Sequence, residues 1–230
     1  MIQADIVHSK ATTLCLLIAA LMLHGCNTPG RGKTQAPPLE SGPVAEEAPE
    51  WARVALAADR DRINALDRAW EEALAAARTP AFRRSISAEG RLLEQGAALS
   101  RPQPAPGSYM CRLIQIGSTD HRGRAFVASK PVFCYVGVDE ADRLWLAKQT
   151  GPLRRQGYLW EDDTSRQMIF LGALANGGKD IPPAYGHPER SISGVFERVG
   201  PMRYRLVTPY PRSFKLEILE LTPAPLQPEE

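Results

Sequence analysis

From Gly107 onward, the chain is a succession of short segments in which apolar side chains occupy every second position. The clearest example contains Val132, Cys134, Val136 and Val138. A period of two residues is the pattern of a β-strand with one buried face. About eight such segments follow one another at intervals of about 8–20 residues. They are residues 107–116, 132–138, 144–146, 158–160, 168–174, 192–198, 202–208 and 214–221.

This spacing predicts an antiparallel β fold, either an up-and-down barrel of about eight strands or a barrel-like sandwich. No helix-length pattern interrupts the segments, so the crossovers of a parallel sheet are missing. A closed barrel of this size has no free strand edge and holds at most one small ligand. We assign residues 101–223 to this β domain and expect residues 224–230 to form a disordered tail.

The residues before the β domain have a helical pattern. Apolar side chains between Glu50 and Arg78 recur at helical intervals and fall on one face: Ile63, Leu66, Trp70, Ala73, Leu74 and Ala77. Thr79 followed by Pro80 is typical of the start of a second helix. We predict two helices within residues 50–100, packed against the β domain. The whole fold is then mainly β with an N-terminal helical segment, an α+β arrangement.

The beginning of the chain predicts export. Residues 11–23 form an apolar run that is too short to cross a bilayer of roughly 30 Å as a helix. The run ends in Leu23-His24-Gly25-Cys26, which resembles the lipobox of bacterial lipoproteins. We predict a signal peptide over residues 1–25, acylation of the Cys26 thiol, and a flexible tether over residues 26–49. An ordinary secretory signal with an incidental cysteine is the alternative.

The lipobox resemblance implies a place in the cell envelope. Asn27 stands where an aspartate is associated with retention in the inner membrane, which favours the periplasmic face of the outer membrane. The membrane, reached through the lipid anchor, is then a partner of the protein. Without acylation, the protein would be secreted or free in the periplasm.

Two cysteines remain in the predicted mature protein besides the anchor. Cys15 leaves with the signal, so Cys111 and Cys134 are left together in an oxidising compartment. We expect them to form a disulfide, which contributes roughly 3 kcal/mol by closing the loop between them. Two buried free thiols are the alternative.

The sequence contains none of the usual catalytic or cofactor patterns. His121 and His187 are the histidines left after signal removal, and neither belongs to a metal-binding spacing. There is no nucleophile elbow, no glycine-rich phosphate loop and no closely spaced cysteine pair. The net charge of +2 and the lack of a basic run give no reason to expect nucleic acid as a partner. We therefore expect no enzyme activity, metal or cofactor.

Basic residues concentrate in the loops at one end of the predicted barrel. If the strands run alternately up and down, four loops share this end and hold Arg122, Arg124, Lys148, Arg154, Arg155, Lys179, Arg190 and Arg212. The loops at the other end are expected to be acidic, without basic residues. The loop from Ala175 to Arg190 is the longest, and long loops in compact domains are often functional.

We expect this basic mouth to bind an anionic ligand or the acidic surface of an envelope partner. The candidate charge donors are Arg154, Arg155 and Arg190. The candidate contact surface is formed by Tyr185, His187 and Tyr210. The alternative is that these are solvated loop charges.

The pairing of the sixth and seventh predicted strands follows from their apolar faces. Phe196 and Leu206 both lie on such a face, and pairing the faces requires a bulge or a three-residue loop. Glu197 is then expected near Arg203 on the exposed outer face. An exposed pair of this kind contributes under about 1 kcal/mol.

Several sequence blocks resemble a known family. They are PGSYMCR (106–112), TGPLRRQG (150–157), FLG (170–172), YG (185–186), GVFERVGPMRYRL (194–206) and LEILEL (216–221), with Asp61-Arg62 and Ala69-Trp70 upstream. The pattern is similar to the domain-of-unknown-function family numbered four-eight-nine-three, found mainly in small exported proteins of alphaproteobacteria. It extends from about Asp59 to Pro223, and Tyr204 stands where the family often has tryptophan. The family has no assigned activity, so the resemblance assigns no catalytic residue.

The predicted function is therefore that of a non-enzymatic envelope binding module, with inhibition of an envelope partner as one form. The alternative is a structural envelope protein that acts through its helices in a complex and holds no ligand in the barrel. A cavity inside the barrel would favour the first function. An exposed apolar patch around Trp51, Leu56 and Trp70 would favour the second.

Overall fold

A computed structural model describes residues 48–120, 123–175 and 184–225 of the chain. The predicted signal peptide, the predicted acylation site Cys26 and nearly all of the predicted tether lie outside these ranges, as does the end of the predicted tail. No helix in the described ranges is long and apolar enough to cross a membrane.

Short helices precede the barrel. They are α1 (Glu50–Val54), α2 (Ala57–Asn64), α3 (Leu66–Ala77), α4 (Arg83–Glu89) and a 3-10 helix (Gly90–Leu93). The sequence predicts two helices in this segment, but the structure has several shorter ones. The helical stripe is interrupted at Ala55, which is extended, and at Ala65, whose φ of −88° and ψ of 7° separate α2 from α3.

The rest of the described chain forms antiparallel β-strands. They are β1 (Gly107–Ser118), β2 (Phe126–Ala128), β3 (Val132–Val138), β4 (Leu144–Lys148), β5 (Arg155–Glu161), β6 (Gln167–Leu174), β7 (Ser191–Gly200), β8 (Arg203–Pro209) and β9 (Phe214–Pro223). Strands β3 to β9 pair in sequence order, β3 also pairs with β1, and β1 pairs with β9. These pairings close an eight-stranded barrel and confirm the predicted mainly β fold. Strand β2 is an addition on β1 and is too short to show an alternating pattern.

Apolar side chains fill the lower half of the barrel, by which we mean the end where β3 turns into β4. Phe196 stacks on Tyr204 with ring centroids 5.7 Å apart, and Tyr109 meets Tyr204 edge-on at 6.2 Å. Cys111 and Cys134 form the predicted disulfide inside the same cluster and join β1 to β3. Burying each large side chain contributes about 1.5–3 kcal/mol, so this half contributes strongly to barrel stability.

Helix α3 packs on the outer wall of the barrel, as predicted. Trp70 is only 2% exposed and belongs to one buried cluster with Ile114, Val207 and Ile218 of the strands. The indole is therefore not part of an exposed patch, and Trp51 at the start of α1 is half-buried.

The pairing of β7 with β8 confirms one part of the predicted register and corrects another. A bulge near the end of β7 lets the two apolar faces pair, as expected, and it places Phe196 opposite Leu206. The residue opposite Glu197 is Arg205, however, and Arg203 lies elsewhere. The prediction of an exposed pair between Glu197 and Arg203 is therefore wrong.

The Glu197–Arg205 pair is buried because the helical segment covers it. Its charged atoms are 2.6 Å apart, and Arg205 is 1% exposed. The guanidinium also donates to the carbonyl of Leu92 at 2.8 Å and lies 5.0 Å from the ring centroid of Trp70. A buried pair with further hydrogen bonds holds the helices to the barrel more specifically than a surface pair could.

The turns at the lower end are not purely acidic, which corrects a further expectation. Arg143 precedes β4 and pairs with Asp139 at 2.8 Å. Arg166 precedes β6 and donates from Nε to the carbonyl of Ala98 at 3.0 Å. Both arginines lie just outside the strand bounds that the sequence pattern suggests, so they belong to the turns.

Candidate ligand site in the barrel mouth

The up-and-down strand order gathers the connections after β1, β4, β6 and β8 at the upper end of the barrel. A cavity of about 370 Å³ opens there. Gln115, Thr208 and Glu217 line its floor, and Arg62, Arg190 and Tyr210 belong to its rim. The volume lies in the range of small-molecule sites. We call this feature the mouth cavity.

The floor of the mouth cavity is polar although it lies inside a barrel. Glu217 accepts hydrogen bonds from Gln115 Nε2 at 2.5 Å and from Arg155 Nη2 at 3.0 Å. Thr208 is 2% exposed, and its Oγ1 has no hydrogen-bond partner among the described residues. A buried hydroxyl without a partner costs free energy. This hydroxyl is therefore available to a ligand.

Arg155 is fully buried beneath this floor. It is the first residue of β5 and shares the inward face with Gly157 and Leu159. Its Nη2 donates a hydrogen bond to Glu217, whereas Nε and Nη1 make no hydrogen bond within the described part of the chain. An arginine can donate five hydrogen bonds, so the site leaves much of this capacity unused.

Lys148 points inward from β4 and is 4% exposed. Its Nζ donates to the carbonyl oxygen of Thr150 at 3.0 Å and to that of Pro152. Burial, followed by the positive charges of Arg155 and Arg154, lowers the pKa of Lys148 to about 8, and the carboxylate of Glu217 acts in the opposite direction. The amine therefore lies in a positive field.

Among the described residues whose side chains point into the upper half of the barrel, buried positive charges outnumber buried negative charges. Lys148 and Arg155 are both more than nine-tenths buried, against the single carboxylate of Glu217. Arg154 is half-buried beside them, and its Nε has no hydrogen-bond partner in the described ranges. Buried charges are costly unless they are paired. The excess favours an anion in the mouth cavity.

The rim adds an arginine and an oriented tyrosine. Arg190 is half-buried, and its guanidinium forms no ion pair with another described residue. Tyr210 accepts a hydrogen bond from Arg68 Nε at 3.2 Å, and the Arg68 guanidinium lies 5.8 Å from the ring centroid. The ring is thereby held at the edge of the cavity, where it limits the width of the opening.

Tyr185 lies away from the predicted contact surface. Its ring packs against the outer-wall cluster that contains Ile169, and its hydroxyl donates to Asp59 Oδ2 at 2.7 Å. The same hydroxyl accepts from the backbone nitrogen of Leu56 at 2.9 Å. Burial and the Asp59 carboxylate raise the pKa of Tyr185. This tyrosine therefore connects helix α2 to the segment before β7.

The remaining predicted residues divide between the cavity and the surface. Arg190 and Tyr210 line the mouth cavity, whereas Arg155 lies outside the lining and is joined to it through Glu217. Arg154 is also outside the lining. His187 is exposed and does not belong to the lining, and its carbonyl accepts from the backbone nitrogen of Arg190 at 2.9 Å.

Sequence reasoning missed the polar residues on the floor. Glu217 lies two residues before Leu219, and Thr208 lies two residues after Leu206, so both are in phase with the buried face of their strands. A polar residue at an inward position is the signal that could have found them. Lys148 was counted among the loop charges, although it ends a strand and points inward.

A second cavity, of about 650 Å³, opens at the lower end. Its lining includes Arg143, Tyr158 and Asp162. Arg143 already lies 4.7 Å from the ring centroid of Tyr158, and Asp162 accepts a hydrogen bond from Trp51 Nε1 at 2.8 Å. These charges are satisfied within the chain, so the smaller mouth cavity is the stronger candidate for a ligand.

No group of three or more His, Cys, Asp and Glu side chains in the described ranges is placed to hold a metal ion. The family model described as Domain of unknown function (DUF4893) matches residues 51–221. The match runs from α1 to β9 and therefore includes the barrel and the mouth cavity. No curated protein and no solved structure matches the chain.

Proposed function

Since the chain belongs to the DUF4893 family, whose description names no activity, we propose a function from the mouth cavity itself. The protein is a non-enzymatic binding module. Its mouth takes up a small anionic ligand, or an acidic group presented by a partner protein.

The uncompensated positive charge beneath the cavity floor is the observation that carries this proposal. Lys148 and Arg155 are both more than nine-tenths buried. Arg155 pairs with Glu217, whereas Lys148 donates to backbone carbonyls and forms no ion pair with another described residue. The unpaired donors Nε and Nη1 of Arg155 lie in the same place. A bound anion would lower the free energy of these charges without any change of fold.

An anion in the cavity would meet donors at two heights. Thr208 offers a hydroxyl at the floor, and Arg190 offers a guanidinium at the rim. Arg155 lies behind Glu217, outside the lining. Hydrogen bonds to charged groups contribute about 1.5–3 kcal/mol each. Carboxylate and phosphate oxygens match the paired donors of an arginine. A carboxylate or a phosphate is therefore the chemical class that we assign to the ligand.

We also propose that the module works at the cell envelope. Acylation of Cys26 would hold the barrel near the membrane on a tether whose typical reach is about 25 Å. An anchored module could capture a diffusing anion, or inhibit a partner by binding its acidic side chain. Mass spectrometry of the mature N-terminus would test this part, since Cys26→Ser should abolish the acyl mass.

The helices give less support to a structural role. Such a role would require an apolar helical surface that is free for a partner, and Trp70 is buried against the barrel. The helices cover the outer wall and leave the mouth cavity open. We therefore do not propose the structural alternative.

The binding proposal is tested by isothermal titration calorimetry on the full chain, with inorganic phosphate and citrate as probes. The wild type should bind at least one of them, with an affinity that falls as salt rises. Arg190→Gln should weaken binding about tenfold, because it removes a charge-assisted hydrogen bond.

Arg84→Gln is the matched control. Arg84 is an exposed arginine on α4 and lies outside the mouth lining, so its loss should leave the affinity unchanged. An absence of binding by the wild type at low salt, or an equal loss in both variants, would remove the proposal.

A further inference from the structure

Helix α2 is joined to the mouth by a charged cluster around the buried carboxylate of Asp59. Asp59 is fully buried, and its Oδ1 lies 2.6 Å from Arg62 Nη1. Its Oδ2 accepts the hydrogen bond from the Tyr185 hydroxyl at 2.7 Å. We call these three residues the α2 clasp. A buried carboxylate is costly unless it is paired, so α2 packs well only when the clasp is closed.

One partner of Asp59 lines the mouth cavity, and the other lies in the segment that leads to its rim. Arg62 belongs to the cavity lining, and its Nη1 donates to the carbonyl of Ser191, at the start of β7, at 3.4 Å. Tyr185 lies in the described segment 184–190, which ends at the rim residue Arg190. One carboxylate therefore orients two separate parts of the rim.

Further hydrogen bonds bind α2 and this part of the rim into one unit. The backbone nitrogen of Leu56, just before α2, donates to the Tyr185 hydroxyl at 2.9 Å. Ser193 of β7 donates from its buried hydroxyl to the backbone carbonyl of Asp59 at 3.4 Å. Movement of α2 away from the barrel would thus displace Arg62 and the segment before β7 together.

We propose that the α2 clasp sets the geometry of the mouth, so that anion binding and docking of α2 stabilise each other. The inference deepens the proposed anion site and rests on it. Asp59 and Tyr185 act as positioning residues, because they reach a ligand only through Arg62 and Arg190. Linkage is reciprocal: if docked α2 favours the ligand, then the ligand favours docked α2 by the same factor.

The test uses the full chain with inorganic phosphate as the probe. Tyr185→Phe removes only the hydroxyl of the clasp, and Asp59→Asn removes its charge. Each variant should weaken phosphate binding about fivefold or more. In the wild type, phosphate should also slow hydrogen exchange of the α2 backbone amides, and this protection should be lost in Tyr185→Phe.

Glu89→Gln is the matched control. Glu89 of α4 is 9% exposed and forms another ion pair between helix and barrel, with Arg112 at 2.5 Å, outside the mouth lining. This variant loses a contact of comparable burial and charge. It should keep both the phosphate affinity and the protection of α2.

Two outcomes overturn the inference. In one, Tyr185→Phe keeps its affinity and its phosphate-dependent protection. In the other, Glu89→Gln loses as much as the clasp variants, which would make the effect one of general stability. Because Tyr185→Phe makes the smallest change, it decides the matter even if Asp59→Asn fails to fold.

The failure of the anion site itself gives a different result. If the wild type binds neither phosphate nor citrate, the proposed function fails, and the coupling to a ligand fails with it. The positioning role of Tyr185 is then tested by hydrogen exchange of the backbone amides of residues 184–193 without added anion. Faster exchange in Tyr185→Phe than in Glu89→Gln supports that role, and equal exchange overturns it.

Discussion

The lower and upper halves of the barrel interior are built from the same strands but are filled in different ways. Below, Phe170, Phe196 and Tyr204 are packed in one apolar cluster. Above, Arg155 and Glu217 lie under a cavity that apolar side chains do not fill. The lower half stabilises the fold by burying apolar side chains, whereas the buried charges of the upper half lower its contribution to stability. The contrast shows where a small barrel has room for a ligand.

Two facing glycines mark the change from one half to the other. Gly157 of β5 lies opposite Gly172 of β6, and a Cβ on Gly157 would be 2.4 Å from the Cα of Gly172. The strands therefore approach too closely for side chains at this level. On β5, Leu159 lies below the glycine in the apolar cluster and Arg155 lies above it.

The largest expected effect on stability comes from the lower half. Phe196→Ala should lower the free energy of unfolding by about 3–5 kcal/mol, because it removes a fully buried ring and leaves a cavity. Urea denaturation measures the loss. Anion affinity of the folded fraction should not change, and a large fall in affinity would show that the two halves are not separable.

In the upper half, Arg155→Met alone should cost about 3 kcal/mol, because it leaves the Glu217 carboxylate buried without its ion pair. Adding Glu217→Leu should recover most of this loss, since apolar replacement of a whole buried pair is often neutral or stabilising. A double-mutant cycle on unfolding free energies tests this. Additive losses would contradict the pairing.

The free energy of unfolding should rise with pH between about pH 8 and 10. Lys148 has its pKa lowered to about 8 in the folded protein, against 10.5 as its ordinary value. The unfolded chain therefore binds more protons in this window, and deprotonation favours the folded state.

Lys148→Met is the control for this pH dependence. It should remove the rise, while the effect of Tyr109, whose pKa is raised to about 12, remains in both proteins. Tyrosine ionisation in the unfolded chain lowers stability above about pH 10, so the two slopes should be compared below that point. Equal slopes would exclude Lys148 as the cause.

The smallest expected change is at Thr208. Thr208→Val replaces a buried hydroxyl that has no partner in the described ranges by a methyl group of similar size, so it should stabilise the protein by about 1 kcal/mol. The same change should weaken phosphate binding, because the floor loses its hydroxyl. Calorimetry and urea denaturation on one sample measure both. A variant that gains stability and keeps its affinity would separate Thr208 from the site.

The alternating pattern was sufficient to predict the barrel. A period of two indicates strands with one buried face, and a series of such strands avoids exposed edges when the sheet closes on itself. The disulfide between Cys111 and Cys134 followed from counting cysteines. Strand alternation alone decides which loops share an end of the barrel, and Arg155, Arg190 and Tyr210 lie at the upper end.

Other features depended on contacts that no local pattern contains. Tyr185 was expected at the mouth, but its hydroxyl finds Asp59, which is 126 residues away. Glu197 was expected at the surface, but the helical segment folds over it and buries its pair with Arg205. Whether a charged side chain becomes buried depends on residues that are distant in the sequence, and only the folded structure shows where those residues lie.

By itself, the sequence determined the strand periodicity, the helical stripe and the pairing of two cysteines, because each depends on spacing along the chain. Only the tertiary structure decided which charged residues became buried and which of them remained without partners. Arg155 reads as a loop charge in the sequence and becomes a buried guanidinium once the barrel closes. Closure brings Lys148, Arg155 and Glu217 out of water together, and that shared desolvation gives the mouth its excess of positive charge.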